Sequence, residues 1–335
     1  MSKNIVICCD GTNNQFGVCN TNVVRIVQIL DRDATRQVCY YDPGVGTLPD
    51  QSWRTRIGRT FSKVMALAFA TDLHGKVSIA YAHLMELWEP GDRVFIFGFS
   101  RGAYTARVLA ALLHAVGLMP RGNSQLLPYA LQLFSSLRQD SPREYWSVLN
   151  SFRNSFARPI PGQLDTHFPI HFLGLWDTVS SVGWIWDPPS YPYTAKLSNV
   201  SVVRHAVSID ERRWFFRQNR ISAQPAQDAR EVWFAGVHSD VGGGYPEDQG
   251  GLWRVTFEWM LREAIAAGLL IDDARLVHVR ERSPMPANPW AEPKHESLRG
   301  AWWLGEFVPK LVYDAATKKR RPKIGLGGRR VLRAG

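Results

Sequence analysis

RVFIFGFSRGAYTAR, residues 93–107, is the stretch on which the fold turns. Arg93–Phe97 is a short apolar run that follows the turn residues Glu89-Pro90-Gly91-Asp92. Such a run fits a strand buried on both faces. Gly98-Phe99-Ser100-Arg101-Gly102 comes next, and a helix is expected from about Ala103 to Val116. The G-x-S-x-G pattern is weak by itself, because Gly and Ser are common. Between a buried strand and a helix it has the context of a nucleophile elbow, a turn so sharp that its central serine is held strained and presented outward. Gly98 and Gly102 remove side chains that would clash where strand and helix approach. The helix N-terminus directs its N–H groups at Ser100, and the N–H of Arg101 is a candidate oxyanion donor. The competing interpretation is an ordinary Gly-rich strand–helix turn.

Upstream of this stretch, Asn4–Cys9 (NIVICC) has the same character of a buried strand and runs into Asp10-Gly11-Thr12. Asn22–Leu30 has helical spacing, and Gln37–Tyr41 forms a strand closed by Asp42-Pro43-Gly44. Arg56–Trp88 is helical, expected as two helices with a break near Gly75. Downstream, residues 122–165 are helical and then irregular, Ile170–Trp176 is a strand, and residues 183–196 are an aromatic, Pro-rich loop. Asn199–Ile209 suits helix or strand, and the charged residues 210–213 tilt it to helix. Glu231–Val237 is the last clear strand, and Leu252–Ala267 an amphipathic helix. Strands alternating with helices give the α/β class, an α/β-hydrolase-like, mostly parallel central sheet with helices on both faces. One domain, residues 1–317, is expected, with insertions at about 122–165 and 183–196 and a basic C-terminal tail at 318–335.

A nucleophilic serine needs a base, and the base an orienting acid. In this fold the chain order is serine, acid, histidine. Two strands downstream of Ser100 end in suitable residues: LWDTV ends one at Asp177, and GVHSD ends another at His238. Such sheets build their sites at the C-terminal ends of strands. Asp177 and His238 are therefore the candidate acid and base. A turn cap is the alternative for Asp177, and a structural histidine for His238. Among other histidines, His171 lies within its strand, His205 lies inside an apolar run, and His295 in a late loop is the serious rival base.

Three glycines after His238, Gly242–Gly244, let the backbone pass close to a neighbouring segment or substrate. Asp240 either braces that loop, the favoured role, or helps place His238. Asp10 is expected to brace its own loop by hydrogen bonds, and the N–H of Gly11 or Thr12 suits the second oxyanion donor. Asp10 as a metal ligand or phosphoryl acceptor is disfavoured, since Cys8 stands where a second carboxylate would be needed. No metal or organic cofactor is required by this chemistry.

Hydrophobic residues make up 45% and charged residues 21% of the 335, which excludes disorder over most of the length. The net charge is +10, but eight basic residues and no acidic one lie in 318–335, so the body carries only +2. Such a tail suits phosphate-bearing partners or is a solvated terminus, and nothing in the body points to nucleic acid. The four cysteines, Cys8, Cys9, Cys19 and Cys39, lack zinc-ligand spacing and fit reduced thiols. The start of the chain lacks a signal h-region, and the longest apolar stretch, Val108–Pro120, is too short to span a bilayer and contains His114. A soluble protein, cytoplasmic as made, is expected, with signal-independent export open. Trp184, Trp186, Tyr191 and Tyr193, stiffened by Pro188, Pro189 and Pro192, suit either contact with lipid or packing on the core. Arg101 and Arg107 are candidate phosphate contacts, Arg107 equally a helix-surface ion-pair residue.

The blocks CCDGTNN (8–14), TNVVRI (21–26), GVGT (44–47), GFSRGAYTAR (98–107), GLWDTV (174–179), RHAVSIDERR (204–213) and VWFAGVHSDVGGGY (232–245) occur together and in order. This set resembles the α/β-hydrolase catalytic domain of type VI secretion lipase effectors, a family long catalogued as a domain of unknown function in bacterial and fungal proteins. The resemblance runs from about residue 3 to about residue 310. It implies a Ser–Asp–His esterase whose characterised effectors cleave fatty-acyl esters of glycerophospholipids. By matching blocks it assigns Ser100 as nucleophile, His238 as base and Asp177 as acid. Phospholipid is thus the favoured substrate. An esterase or thioesterase on a soluble substrate, and a non-catalytic partner-binding module on the same fold, remain the alternatives. Oligomeric state is unassigned.

Overall fold

A computed structural model describes residues 2–11, 17, 19–44, 61–137, 141–179, 191–216, 218–246, 248–282, 288, 292–300, 302–307, 310–314 and 319–325, with only the backbone for 61–72, 310–314 and 319–322. Strands β1 (Asn4–Cys9), β2 (Gln37–Asp42), β3 (Arg93–Phe99), β4 (Ile170–Trp176), β5 (Val200–Ser208) and β6 (Asp228–Phe234) pair into one sheet in the order β2-β1-β3-β4-β5-β6. Every pairing is parallel. The helices are α1 (Asn22–Ile29), α2 (Phe61–Leu87), α3 (Arg101–Val116), α4 (Leu127–Ser136), α5 (Arg143–Phe156), α6 (His238–Gly242), α7 (Leu252–Ala266), α8 (Asp273–Arg282) and α9 (Trp302–Glu306). A separate antiparallel hairpin joins β7 (Lys310–Asp314) to β8 (Lys319–Lys323).

Side chains alternate across a strand, and β1 shows how that divides the core. Ile5, Ile7 and Cys9 face a layer built by Val77, Tyr81, Leu109, Leu113, Phe134 and Phe152, from α2 through α5. Val6 and Cys8 face the opposite layer with Val23, Ile26, Phe257, Met260 and Leu276, from α1, α7 and α8. Both layers exclude water from the middle of the sheet, so the inner strands β1 and β3 are nearly continuous apolar runs. The order reverses between β1 and β3, and the carboxyl ends of strands beside such a switch point open the crevice where α/β sheets bind ligands. Asp10, Ser100 and Asp177 follow β1, β3 and β4, and Ser208 closes β5.

Several elements differ from the sequence reading. α2 continues through Gly75 without a break. A Cβ built on Gly75 meets nothing within 4 Å, so its cost is one helix propensity of about 1 kcal/mol. That is small against the buried contacts of Leu73, Val77, Tyr81 and Leu84 on the same helix. Residues 200–208 form a strand, not the helix to which the charged residues tilted them. From Val203 to Ser208 every residue is buried, so no period of two is written in the sequence. β6 spans Asp228–Phe234, and residues 235–237 form the turn leading to His238.

The aromatic loop is described only from Tyr191; Trp184 and Trp186 lie outside the described residues. Tyr191 and Tyr193 turn inward. Tyr191 is buried, stacks on Phe134 and bonds His74, while Tyr193 packs edge-on to His114 and Trp146. Residues 319–323 of the basic segment are a strand, and residues 326–335 lie outside the described residues. Among the described residues, no helix is long and apolar enough to cross a membrane.

Candidate active site

Ser100 sits between β3 and α3 with φ 59° and ψ −122°. A non-glycine residue at positive φ outside the usual left-handed well costs of order 1–3 kcal/mol and needs its surroundings to hold it. Here the Ser100 N–H donates to Trp176 O at 3.0 Å, and Ser100 O accepts from Val179 N at 3.2 Å. The two glycines permit the turn. A Cβ on Gly98 would lie 2.6 Å from Ala103 Cα, and one on Gly102 would lie 2.2 Å from Cys9 O and 2.4 Å from Asp10 O. Strand, helix and the loop after β1 thus meet at contact distance around the serine.

The Ser100 hydroxyl lies 2.8 Å from His238 Nε2, and His238 Nδ1 lies 2.7 Å from Asp177 Oδ2. The elements place these groups independently. Asp177 follows β4 with φ 37°, its N–H bonded to Ala206 O of β5 at 2.7 Å. His238 opens α6 after the Gly236 turn. All three residues are buried: Ser100 is 8%, His238 4% and Asp177 0% exposed. A carboxylate at Nδ1 fixes the imidazole tautomer with its proton there, which leaves Nε2 to accept from the hydroxyl. The arrangement can therefore move a proton from a serine to an imidazole.

Residues that the sequence reading did not single out complete this geometry. Ser208, at the end of β5, donates its N–H to Asp177 Oδ1 and its hydroxyl to Asp177 Oδ2, each at 2.9 Å. Glu211 Oε2 accepts the His238 backbone N–H at 3.2 Å. Burial alone would raise the Glu211 carboxyl, but the hydrogen bonds and charge of Arg213, with His238 adding to them, carry it down to about 2. The His238 ring packs between Phe99, at 4.7 Å, and Phe216, at 4.9 Å. Ser208, Glu211 and Phe216 belong to one segment that runs past Asp177 and His238. Part of it lies in the block RHAVSIDERR, the one signal that could have found it.

Asp10 braces its loop: Oδ1 accepts the Gly11 N–H at 2.7 Å, and Oδ2 accepts the Thr21 hydroxyl at 2.8 Å and the Tyr41 hydroxyl at 3.0 Å. The Gly11 N–H, a candidate oxyanion donor, donates to Asp10 Oδ1, and Thr12 lies outside the described residues. Arg101 is the first residue of α3, immediately after Ser100. Asp240 takes the loop role, accepting from Val237 N at 2.9 Å and pairing with His295 Nδ1 at 2.6 Å. That pairing and a stack on Tyr245 account for His295, the rival base.

Arg107 is neither a phosphate contact nor a surface ion-pair residue. It is fully buried and donates to Thr194 O, Asn219 O and Arg220 O, pinning two loops to α3. Burial lowers its guanidinium to about 10. His205 is a second buried imidazole, held by Glu231 at Nδ1 and accepting the Thr178 N–H at 3.2 Å, so it supports the backbone next to Asp177. His171 bonds Ala267 O and packs against Phe95. All four cysteines are free, and burial pushes the Cys8 and Cys9 thiols up. Among the described residues, no group of three or more His, Cys, Asp or Glu is placed to hold a metal ion.

Residues 3–263 match the family model described as T6SS, phospholipase effector Tle1-like, catalytic domain. The chain belongs to this family. It is similar to an uncharacterized protein of Saccharomyces cerevisiae, 40% identical over 233 residues. That match covers 67% of this chain and 33% of the yeast protein, so the chain matches about a third of that relative's length. Among solved structures it is similar to an uncharacterized protein from Pseudomonas aeruginosa, with 20% identity, TM-score 0.46, and coverage of 85% of this chain and 48% of the other. A second is the Tle1 effector bound to the VgrG spike of the Type 6 secretion system, with 19% identity, TM-score 0.41, and coverage of 73% and 51%. In this Tle1-like chain, Ser100, Asp177 and His238 all fall inside the matched span.

Proposed function

We propose that the protein is a serine carboxylic-ester hydrolase that cleaves fatty-acyl esters of phospholipids. The observation that carries this is the unbroken chain of hydrogen bonds from Ser100 through His238 to Asp177, in a member of a phospholipase effector catalytic family. Ser100 Oγ attacks the acyl carbonyl carbon while His238 Nε2 takes the hydroxyl proton. The imidazolium, stabilised by Asp177, gives that proton to the leaving alcohol oxygen as the ester C–O bond breaks. Water then attacks the acyl-serine, His238 takes its proton, and the fatty acid leaves as Ser100 Oγ is reprotonated. The Arg101 N–H at the start of α3 stabilises the oxyanion, with the N–H of Gly11 or Thr12 as second donor; such a donor is worth about 3 kcal/mol. Family membership also fits export as the setting in which the enzyme meets lipid.

A fluorophosphonate probe tests the serine mechanism. The expected result is one adduct on Ser100, absent from Ser100→Ala. A wild-type protein that stays unlabelled under native conditions contradicts it. Turnover on phospholipid vesicles well above that on short soluble esters and thioesters is expected for a lipase; the reverse ranking points to the soluble-substrate esterase.

A further inference from the structure

We propose that α9 and the residues around it form a surface that settles on an anionic lipid bilayer beside the catalytic site. This rests on the phospholipid reading of that site. The sequence of α9 and the next residue, WWLGEF, is inverted relative to ordinary burial. Its carboxylate, Glu306, is 1% exposed, while Trp302, Trp303, Leu304 and Phe307 are 41%, 44%, 73% and 61% exposed. The inward side is fixed by hydrogen bonds: Glu306 Oε1 accepts the Trp214 N–H at 2.6 Å, and Glu306 O accepts the Gly325 N–H at 2.9 Å. The second bond brings the end of the β7–β8 hairpin alongside α9, adding Ile324, 44% exposed, and exposed Lys323 to the same neighbourhood.

Large apolar side chains projecting together from a soluble domain mark a surface that something covers. Two features favour a bilayer over a protein. Trp is the side chain that prefers the membrane–water boundary, having an apolar body and a polar edge. The adjoining hairpin carries Lys310, Lys319, Arg320, Arg321 and Lys323 against the single acid Asp314, a charge that complements anionic headgroups. Apolar insertion plus a basic cluster is the two-signal combination that stable peripheral binding needs. The surface also adjoins the chemistry. Trp302 meets Phe216 edge-on at 5.5 Å, and Phe216 meets the His238 ring edge-on at 4.9 Å. A bilayer covering α9 would lie two aromatic rings from the catalytic imidazole.

The test uses vesicles of ether-linked phospholipids, which offer no acyl ester to cleave, so binding is read separately from hydrolysis. Wild type is compared with the double variant Leu304→Asp/Phe307→Asp in co-sedimentation with phosphatidylglycerol-rich and phosphatidylcholine vesicles, and in turnover of a soluble ester. Expected are preferential binding of wild type to the anionic vesicles, a drop of about tenfold or more in the variant, and unchanged turnover. Equal binding by variant and wild type, or no binding by wild type, overturns the proposal. So does a wild-type dimer in light scattering that the variant dissolves, which would assign the ridge to a second copy. Failure of wild type to free fatty acid from ester-linked vesicles to which it binds would instead overturn the phospholipase reading and leave the binding result standing.

Discussion

Ser208 holds both carboxylate oxygens of Asp177, its N–H on Oδ1 and its hydroxyl on Oδ2. The orientation that lets Asp177 meet His238 Nδ1 at 2.7 Å is therefore set from β5, the strand beside the one that carries the acid. Ser208→Ala removes the hydroxyl and leaves the backbone bond. A buried hydrogen bond to a charged group is worth about 1.5–3 kcal/mol, so kcat on a soluble ester should fall roughly ten- to a hundredfold. KM should hardly change, because Ser208 contacts the acid and not the substrate. A kcat equal to wild type would show that the Ser208 N–H and His238 suffice to orient Asp177 without the hydroxyl.

Glu211 ties the fold to acid. Its carboxyl lies at about 2 in the folded protein against an ordinary 4.5, held down by Arg213 against the opposing effect of burial. A carboxyl depressed by folding contributes stability that is complete above its ordinary value and lost as pH falls through the folded one. The contribution, on the order of 3 kcal/mol, is thus present at neutral pH and disappears between pH 4.5 and about 2. Glu211→Gln should lower the urea midpoint at pH 7, leaving Arg213 without its buried partner, and the gap from wild type should narrow by pH 3. A gap independent of pH would place the effect in packing alone.

Gly102, like Gly98, tolerates no side chain in the elbow. Its Cβ would overlap two carbonyl oxygens, Cys9 O and Asp10 O, and backbone cannot yield as a flexible side chain can. Gly102→Ala should destabilise by about 3 kcal/mol, read as a lower Tm. Gly75→Ala, where a Cβ meets nothing, should raise it slightly.

What the sequence made legible was what lies close along the chain. The elbow could be read because strand, glycines, serine and helix are contiguous from 93 to 116. Asp177 and His238 could be nominated because each follows an apolar run, although the strand before His238 ends three residues sooner than its composition suggests. The supports were not legible. Ser208 reaches Asp177 across 31 residues and Glu211 reaches His238 across 27, contacts created by strand order alone. β5 was hidden because a strand buried on both faces shows no alternation. The inward turn of Tyr191 and Tyr193 was hidden because aromatic content says that a ring is present, not which way it faces.

The proposed function stands on the joint action of Ser100 and His238 in hydrolysing acyl esters of phospholipids. Its most direct test is fatty-acid release from mixed phospholipid vesicles by wild type, Ser100→Ala and His238→Ala. The account predicts release by wild type and a loss of at least about 10⁴-fold in each variant, with no greater loss when the two are combined, because the two residues act as one unit. Release that persists in Ser100→Ala, or a wild-type protein that labels at Ser100 yet frees no fatty acid from any vesicle, would contradict it.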